Sequence, residues 1–134
     1  MSYRVVVDSC GELTQEMKDS GCFINVPLTI MLGDYHIVDD ETFDQADFLK
    51  RVEEYPDCPK TSCPSPEKYM ESYRCDADHI YAVTLSANLS GSYNSAVLAM
   101  DLYKEEQLNR YEHHCRLFPH GKHHLILLLP IHYC

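Results

Sequence analysis

Two short stretches hold the side chains best suited to binding chemistry: Lys60-Thr61-Ser62-Cys63-Pro64-Ser65, and Leu85-Ser86-Ala87-Asn88-Leu89-Ser90-Gly91-Ser92-Tyr93-Asn94. Each stands immediately before a stretch with helical periodicity. A helix start leaves backbone N–H groups unpaired and carries about half a positive charge, so it attracts anions. The hydroxyls of Thr61, Ser62, Ser90 and Ser92 add hydrogen-bond donors there without adding a competing charge. Gly91 lets a ligand oxygen approach the backbone closely. Ser, Thr and Asn also cap helices without binding anything, and capping is the plainer account of either stretch taken singly. The glycine spacing of a phosphate or dinucleotide loop is absent, and Lys60 is not in a GK[ST] context.

Other side chains offer competing chemistry. His113, His114, Cys115, His120, His123 and His124 are potential metal ligands, but their spacing matches no zinc finger and no HExxH helix. Cys63 or Ser90 with a histidine would suit a hydrolase, yet there is no G-x-S-x-G elbow, and His79 reads as a structural residue at a strand start. The adjacent acids Asp39-Asp40 and Glu53-Glu54 read as solvated surface, since neighbours in sequence face different ways. Asp8, at the end of a predicted strand, is expected to make a structural hydrogen bond near the site.

The elements that must position these groups follow an α/β rhythm. Tyr3–Val7 is β-branched and predicts a strand, Thr14–Ser20 a short helix stopped by a left-handed Gly21. Cys22–Leu32 predicts two strand segments broken at Pro27, and Gly33-Asp34 turns the chain back into Tyr35–Val38. Thr42, with Gln45 three residues on, reads as the capping box of a helix that ends at Tyr55-Pro56. Pro59–Pro66 reads as a stiff loop leading to a helix with Ser65 as N-cap and Pro66 at its first position, its Tyr69, Met70 and Tyr73 facing inward. His79–Leu85 is the clearest strand. Beyond the Ser86–Ser92 loop, Tyr93, Ala96, Val97, Met100 and Tyr103 form one helical stripe. Strands alternating with helices predict a mostly parallel sheet with helices packed on it, and the ligand loops belong at the carboxyl ends of its strands.

Composition narrows the function. The chain has 134 residues, 45% of them apolar and 24% charged, with a net charge of −10. That balance suits a single globular domain and excludes a nucleic-acid binder, which needs clustered Lys and Arg. No apolar run approaches the roughly 20 residues of a membrane span. The first residues lack the basic and apolar regions of a signal peptide, so a cytosolic protein is expected, with its seven cysteines reduced. Residues 105–134 differ from the rest. They have three acids, three bases and six of the eight histidines, whereas residues 1–104 carry the whole net charge.

The ordered motifs DSCGEL (Asp8–Leu13), VPL (Val26–Leu28), KTSCPSP (Lys60–Pro66) and TLSANLSGSYNSA (Thr84–Ala96) resemble the DegV family, with Asp39-Asp40 at an acidic position of that family. The resemblance implies the N-terminal domain of a bacterial fatty-acid-binding carrier, not itself an enzyme, that presents a bound acyl chain to a partner fatty acid kinase. It further implies two α/β domains enclosing the acyl tail. Thr61 and Ser62 would hold the carboxylate from one loop, and Ser90, Gly91 and Ser92 from the other. No cofactor is implied.

These motifs end near Lys104, so residues 1–104 are expected to form the DegV-like domain and 105–134 an atypical His-rich tail, from truncation or a frame shift. The family's basic and histidine contacts to the head group have no position in that tail. Half a cleft leaves the acyl tail in water at about 0.8 kcal/mol per CH₂, which predicts weak lipid binding and self-association through an exposed apolar face. A truncated chain without function, or metal binding by the tail, are the alternative readings.

Overall fold

The computed structural model describes the backbone of residues 2–114 and 125–131 and the side chains of residues 2–108. Along the chain run β1 (Tyr3–Asp8), α1 (Gln15–Asp19), β2 (Phe23–Val26), β3 (Thr29–Leu32), β4 (Tyr35–Val38), α2 (Gln45–Glu54), β5 (Lys60–Ser62), α3 (Pro66–Tyr73), β6 (His79–Leu85), α4 (Ser92–His114) and β7 (Leu125–Ile131). Four of the strands make a parallel sheet in the order β2-β1-β6-β7, and the other three an antiparallel sheet in the order β4-β3-β5. Pro27 marks the passage between the sheets, because a residue without an N–H cannot extend a ladder. The Ser9 hydroxyl accepts the Leu28 N–H at 3.0 Å and ties that passage to the end of β1.

Alternation along β6 buries Ile80, Ala82 and Thr84 and leaves His79, Tyr81, Val83 and Leu85 half-buried. The buried row lies under α3 and α4. Val6, Val26, Ile80 and Ala82 from the sheet pack there against Tyr69 and Tyr73 of α3 and Ala96, Ala99 and Tyr103 of α4. Two alanines on the α4 contact face let that helix sit close to the strands. The rings of Tyr73 and Tyr103 meet edge to face at 6.2 Å, and the buried Tyr73 hydroxyl donates to the Ala96 carbonyl at 3.1 Å. Right-handed crossovers place α1 on the other face, because the chain moves one way from β1 to β2 and the opposite way from β6 to β7. Lys18 of α1 accordingly shares a cleft with Phe23 and Asn25, the β2 residues that alternate with the core residue Val26.

The expected α/β architecture with a parallel, helix-covered sheet is present, and so is the left-handed Gly21 (φ +67°) after α1. Two local features differ from expectation. Asp44, not Thr42, caps α2: its carboxylate accepts the N–H groups of Ala46 and Asp47 at 2.9 and 3.0 Å. Thr42 instead donates both its N–H and its hydroxyl to Asp40, because a carboxylate two residues back offers a closed turn. Lys60–Ser62, read as a stiff loop, is a strand that pairs with β3. At Lys104, where the composition changes, the backbone of α4 is continuous. Helix α4 runs on to His114 through good helix formers, and Leu125–Ile131 pairs in parallel with all of β6. Pro130 is compatible with that strand because β7 lies at the sheet edge.

Candidate functional site

The order of the parallel sheet gives a location before any side chain is considered. From β1 the chain turns toward β2, and from β6 toward β7, so the carboxyl ends of β1 and β6 form the point where winding reverses. In open α/β sheets ligands bind in the crevice outside that point. Here it lies at Asp8 and Leu85, beneath the Ser86–Ser92 loop.

That loop is a compact turn. The N–H groups of Leu89 and Ser90 both return to the Ser86 carbonyl, at 2.9 and 3.1 Å, and the Gly91 carbonyl accepts the Ser95 N–H at 3.0 Å to begin α4. The Ser92 N–H is taken by Ser90 Oγ at 3.2 Å. Those of Tyr93 and Asn94 have no acceptor among the described residues, so α4 presents free donors and the positive end of its dipole to the crevice. The tip of α3 differs. Glu67 turns its carboxylate back onto its own N–H and toward the Ser65 hydroxyl, which holds its pKa below the ordinary value. Of the two helix starts marked in the sequence, only that of α4 is open to an anion.

The two hydroxyl-rich segments nevertheless meet. Cys63, which follows Ser62, packs on Gly91 so closely that a Cβ there would lie 2.9 Å from the Cys63 Sγ. The same sulfur is 3.9 Å from Ser95 Oγ. Any side chain at position 91 would therefore meet that sulfur and require the Cys63 side chain to shift, whereas glycine permits the close approach as it stands. Thr61 and Ser62 are exposed at the end of β5, and strand alternation sends their side chains to opposite sides. Ser90 is half-buried, Gly91 exposed, and Ser92 fully buried. Ser92 Oγ lies 3.1 Å from Ser90 Oγ, behind the surface instead of on it.

Beneath the loop sits a polar cluster. Asp8 is fully buried, and its Oδ2 accepts the Leu85 N–H at 2.7 Å, joining β1 to the end of β6, the expected structural bond. Burial pushes the Asp8 carboxyl above its ordinary value, while the Leu85 N–H, the Ser92 hydroxyl and the Cys10 N–H pull it down. Burial likewise pushes up the Cys10 thiol, with Asp8 and Asp39 adding to the effect. The Tyr69 hydroxyl, also raised chiefly by burial, lies beside Ser92, and Asp8 raises it further. Neither Tyr69 Oη nor Asp8 Oδ1 makes a well-aligned hydrogen bond among the described residues. Sequence reasoning placed Tyr69 in the core and missed its hydroxyl; the available signal was that a buried phenol needs a polar partner.

His79 starts β6, a seven-residue strand, about 20 Å from the loop at its other end, and so cannot serve Cys63 or Ser90 as a base. The side chains of His113, His114, Cys115, His120, His123 and His124 lie outside the described residues. Among the described residues no cluster of metal-ligating groups occurs, and no helix is long and apolar enough to cross a membrane.

Comparison with known proteins gives a consistent picture. A family model described as an uncharacterised protein of the DegV family matches residues 2–118, past the end of the recognisable motifs. A DegV domain-containing protein of Streptococcus gordonii is 36% identical over 112 residues, which is 81% of this chain and 39% of that protein. A DegV-family protein of Ruminococcus gnavus, whose crystal structure was refined with vaccenic acid, superimposes with a TM-score of 0.81 at 50% identity over 96% of this chain and 41% of that one. The Fatty Acid Kinase (Fak) B3 protein of Streptococcus pneumoniae, loaded with linoleic acid, superimposes with a TM-score of 0.70 at 26% identity, covering 95% of this chain and 41% of that one. The chain thus spans about two fifths of the length of these relatives.

Proposed function

The chain belongs to the DegV family, and from that membership we propose that it supplies one wall of a fatty-acid site, gripping the acyl carboxylate with neutral donors. The donors are the Ser90 hydroxyl, the backbone around Gly91 and, of the Thr61 and Ser62 hydroxyls that strand alternation separates, the one on the side of the Gly91 loop, with the free N–H groups of Tyr93 and Asn94 behind them. Ser92 contributes from below, as the partner of Ser90. The contact of Cys63 with Gly91 carries this reading, because it brings both hydroxyl segments to the one open helix start at the winding reversal. Neutral donors suit a carboxylate that must reach a kinase, since they hold the anion without a buried salt bridge. The kinase would supply the nucleotide chemistry, and this chain the acyl group. Its place of action would be the cytoplasm, where acyl groups and nucleotides meet.

Amide resonances of the isotope-labelled 134-residue chain test the reading during titration with octanoate, which stays monomeric at millimolar concentration. Saturable shifts at Thr61, Ser62 and Gly91–Asn94, absent with octan-1-ol, are expected. Equal responses to acid and alcohol would refute carboxylate recognition.

A further inference from the structure

The hydroxyl segment of β5 belongs to a part of the molecule with little core of its own. Among the described residues β3 buries Leu32, and β4, β5 and α2 bury none. This three-stranded sheet joins the parallel one through two short links, Pro27-Leu28 and Cys63-Pro64-Ser65, each containing a proline. At the first link the Ser9 hydroxyl holds the Leu28 N–H. Past β4, a cleft of about 370 Å³ opens between Asp39, Asp40 and Glu41 on one side and Ser9, Lys18 and Asn25 on the other. Buried apolar contact therefore does little to fix where the small sheet stands. We infer that Cys63 is a positioning residue: its sulfur seats the three-stranded sheet on the first turn of α4 and so sets the spacing between the β5 hydroxyl and the α4 donors, an inference that rests on the carboxylate reading above.

Two contacts locate that seat. The sulfur lies 2.9 Å from where a Gly91 Cβ would stand, so it fills the space that glycine leaves. It also lies 3.9 Å from Ser95 Oγ, within reach of a weak thiol–hydroxyl hydrogen bond. Gly91 and Ser95 are tied to each other, because the Ser95 N–H donates to the Gly91 carbonyl at 3.0 Å. Both contacts thus fall on one closed turn, which holds the sulfur at a fixed place relative to the free N–H groups of Tyr93 and Asn94. Cys63 follows Ser62 directly and precedes the buried Pro64, whose ring fixes φ and leaves the link little give. A displacement at Cys63 is passed on to Ser62 and Thr61 with few bonds in which to absorb it.

Removing the sulfur therefore acts on one donor segment and spares the other. In Cys63→Ala the seat is empty and β5 loses its place, while the start of α4 keeps its own bonds. A side chain that only stabilised the fold would lower the melting temperature without dividing the site in this way. In the titration of the isotope-labelled 134-residue chain, Cys63→Ala is expected to bind octanoate about threefold to tenfold more weakly. Saturating octanoate should still shift the amides of Tyr93 and Asn94, but no longer those of Thr61 and Ser62. Cys63→Ser keeps the polar contact with Ser95 at a smaller volume, so its affinity should fall between those of Cys63→Ala and the wild type. It also carries the test if Cys63→Ala does not fold. A wild-type chain that distinguishes octanoate from octan-1-ol, with variants that keep the Thr61 and Ser62 shifts at unchanged affinity, overturns the positioning role alone. So does a variant in which the shifts of both segments vanish together. A wild-type chain that does not distinguish the two ligands overturns the carboxylate reading and the positioning role with it.

Discussion

At the scale of single residues, the site depends on what Gly91 lacks and on what Asp8 suffers. With Cys63 Sγ 2.9 Å from the position of a Cβ, Gly91→Ala overpacks the contact and displaces that sulfur. It is expected to cost about 1–3 kcal/mol, as overpacking does, in urea denaturation. Cys63→Ala removes the opposing sulfur, so the double variant should recover most of that loss. A double variant as unstable as Gly91→Ala would mean that the contact is not the source of the strain. Asp8 has its carboxyl pushed up by burial, so its folded form holds a proton more tightly than its unfolded form. Its contribution to stability is therefore present below the unfolded pKa and declines as pH rises through the folded one. The stability of Asp8→Asn relative to the wild type should move in favour of the variant between about pH 3 and pH 7, in parallel denaturation series. A difference that stays constant across that range would place the Asp8 pKa at its ordinary value.

At the scale of elements, caps and contact faces decide where the loops are held. Asp44 accepts two N–H groups at the start of α2, whereas Thr42 bonds only to Asp40. Asp44→Ala should cost about 1 kcal/mol and Thr42→Ala a few tenths, a ranking that the capping-box reading reverses. Thermal melts of the two variants distinguish the assignments. On α4, Ala96 and Ala99 are fully buried against the sheet, so Ala99→Leu should lower stability by about 1–3 kcal/mol, while Leu98→Ala, at a half-exposed neighbour, should change little. Because α4 begins inside the candidate site, displacing it should also weaken octanoate binding.

At the scale of the whole molecule, one face of the parallel sheet is covered by α3 and α4. The described part of the other face carries α1 on β2 and leaves Tyr3, Val5, His79 and Tyr81 around an open, largely apolar hollow. That hollow and the cleft around Lys18 and Asn25 both open to solvent, so neither encloses an acyl tail. Palmitate should consequently bind the 134-residue chain little more tightly than octanoate, although each added CH₂ would contribute about 0.8 kcal/mol if it were buried. Calorimetry with both acids measures the gap, and sub-micromolar palmitate affinity would contradict an open half-site. The apolar face also predicts concentration-dependent self-association, visible in sedimentation velocity and reduced by Tyr81→Lys.

Much of this was legible from local pattern. The β-branched runs of β1 and β6, the break at Pro27, the stop at Gly21 and the inward tyrosines of α3 depend on neighbours in sequence, and each is where periodicity and backbone preference put it. The two hydroxyl segments were likewise visible as residue types at helix starts. Other features depended on distant partners. Lys60–Ser62 is a strand only because β3 offers an edge, and Leu125–Ile131 only because β6 does; a short apolar run carries no period that separates strand from helix. That α3 is closed to anions and α4 open follows from where Glu67 turns and from the reversal of winding between β1 and β6. Sequence determined which groups could grip an acid, because donor chemistry belongs to the residue. Only tertiary structure decided which of them face a ligand and which, like Ser92, stand behind one, because burial and proton direction belong to the arrangement.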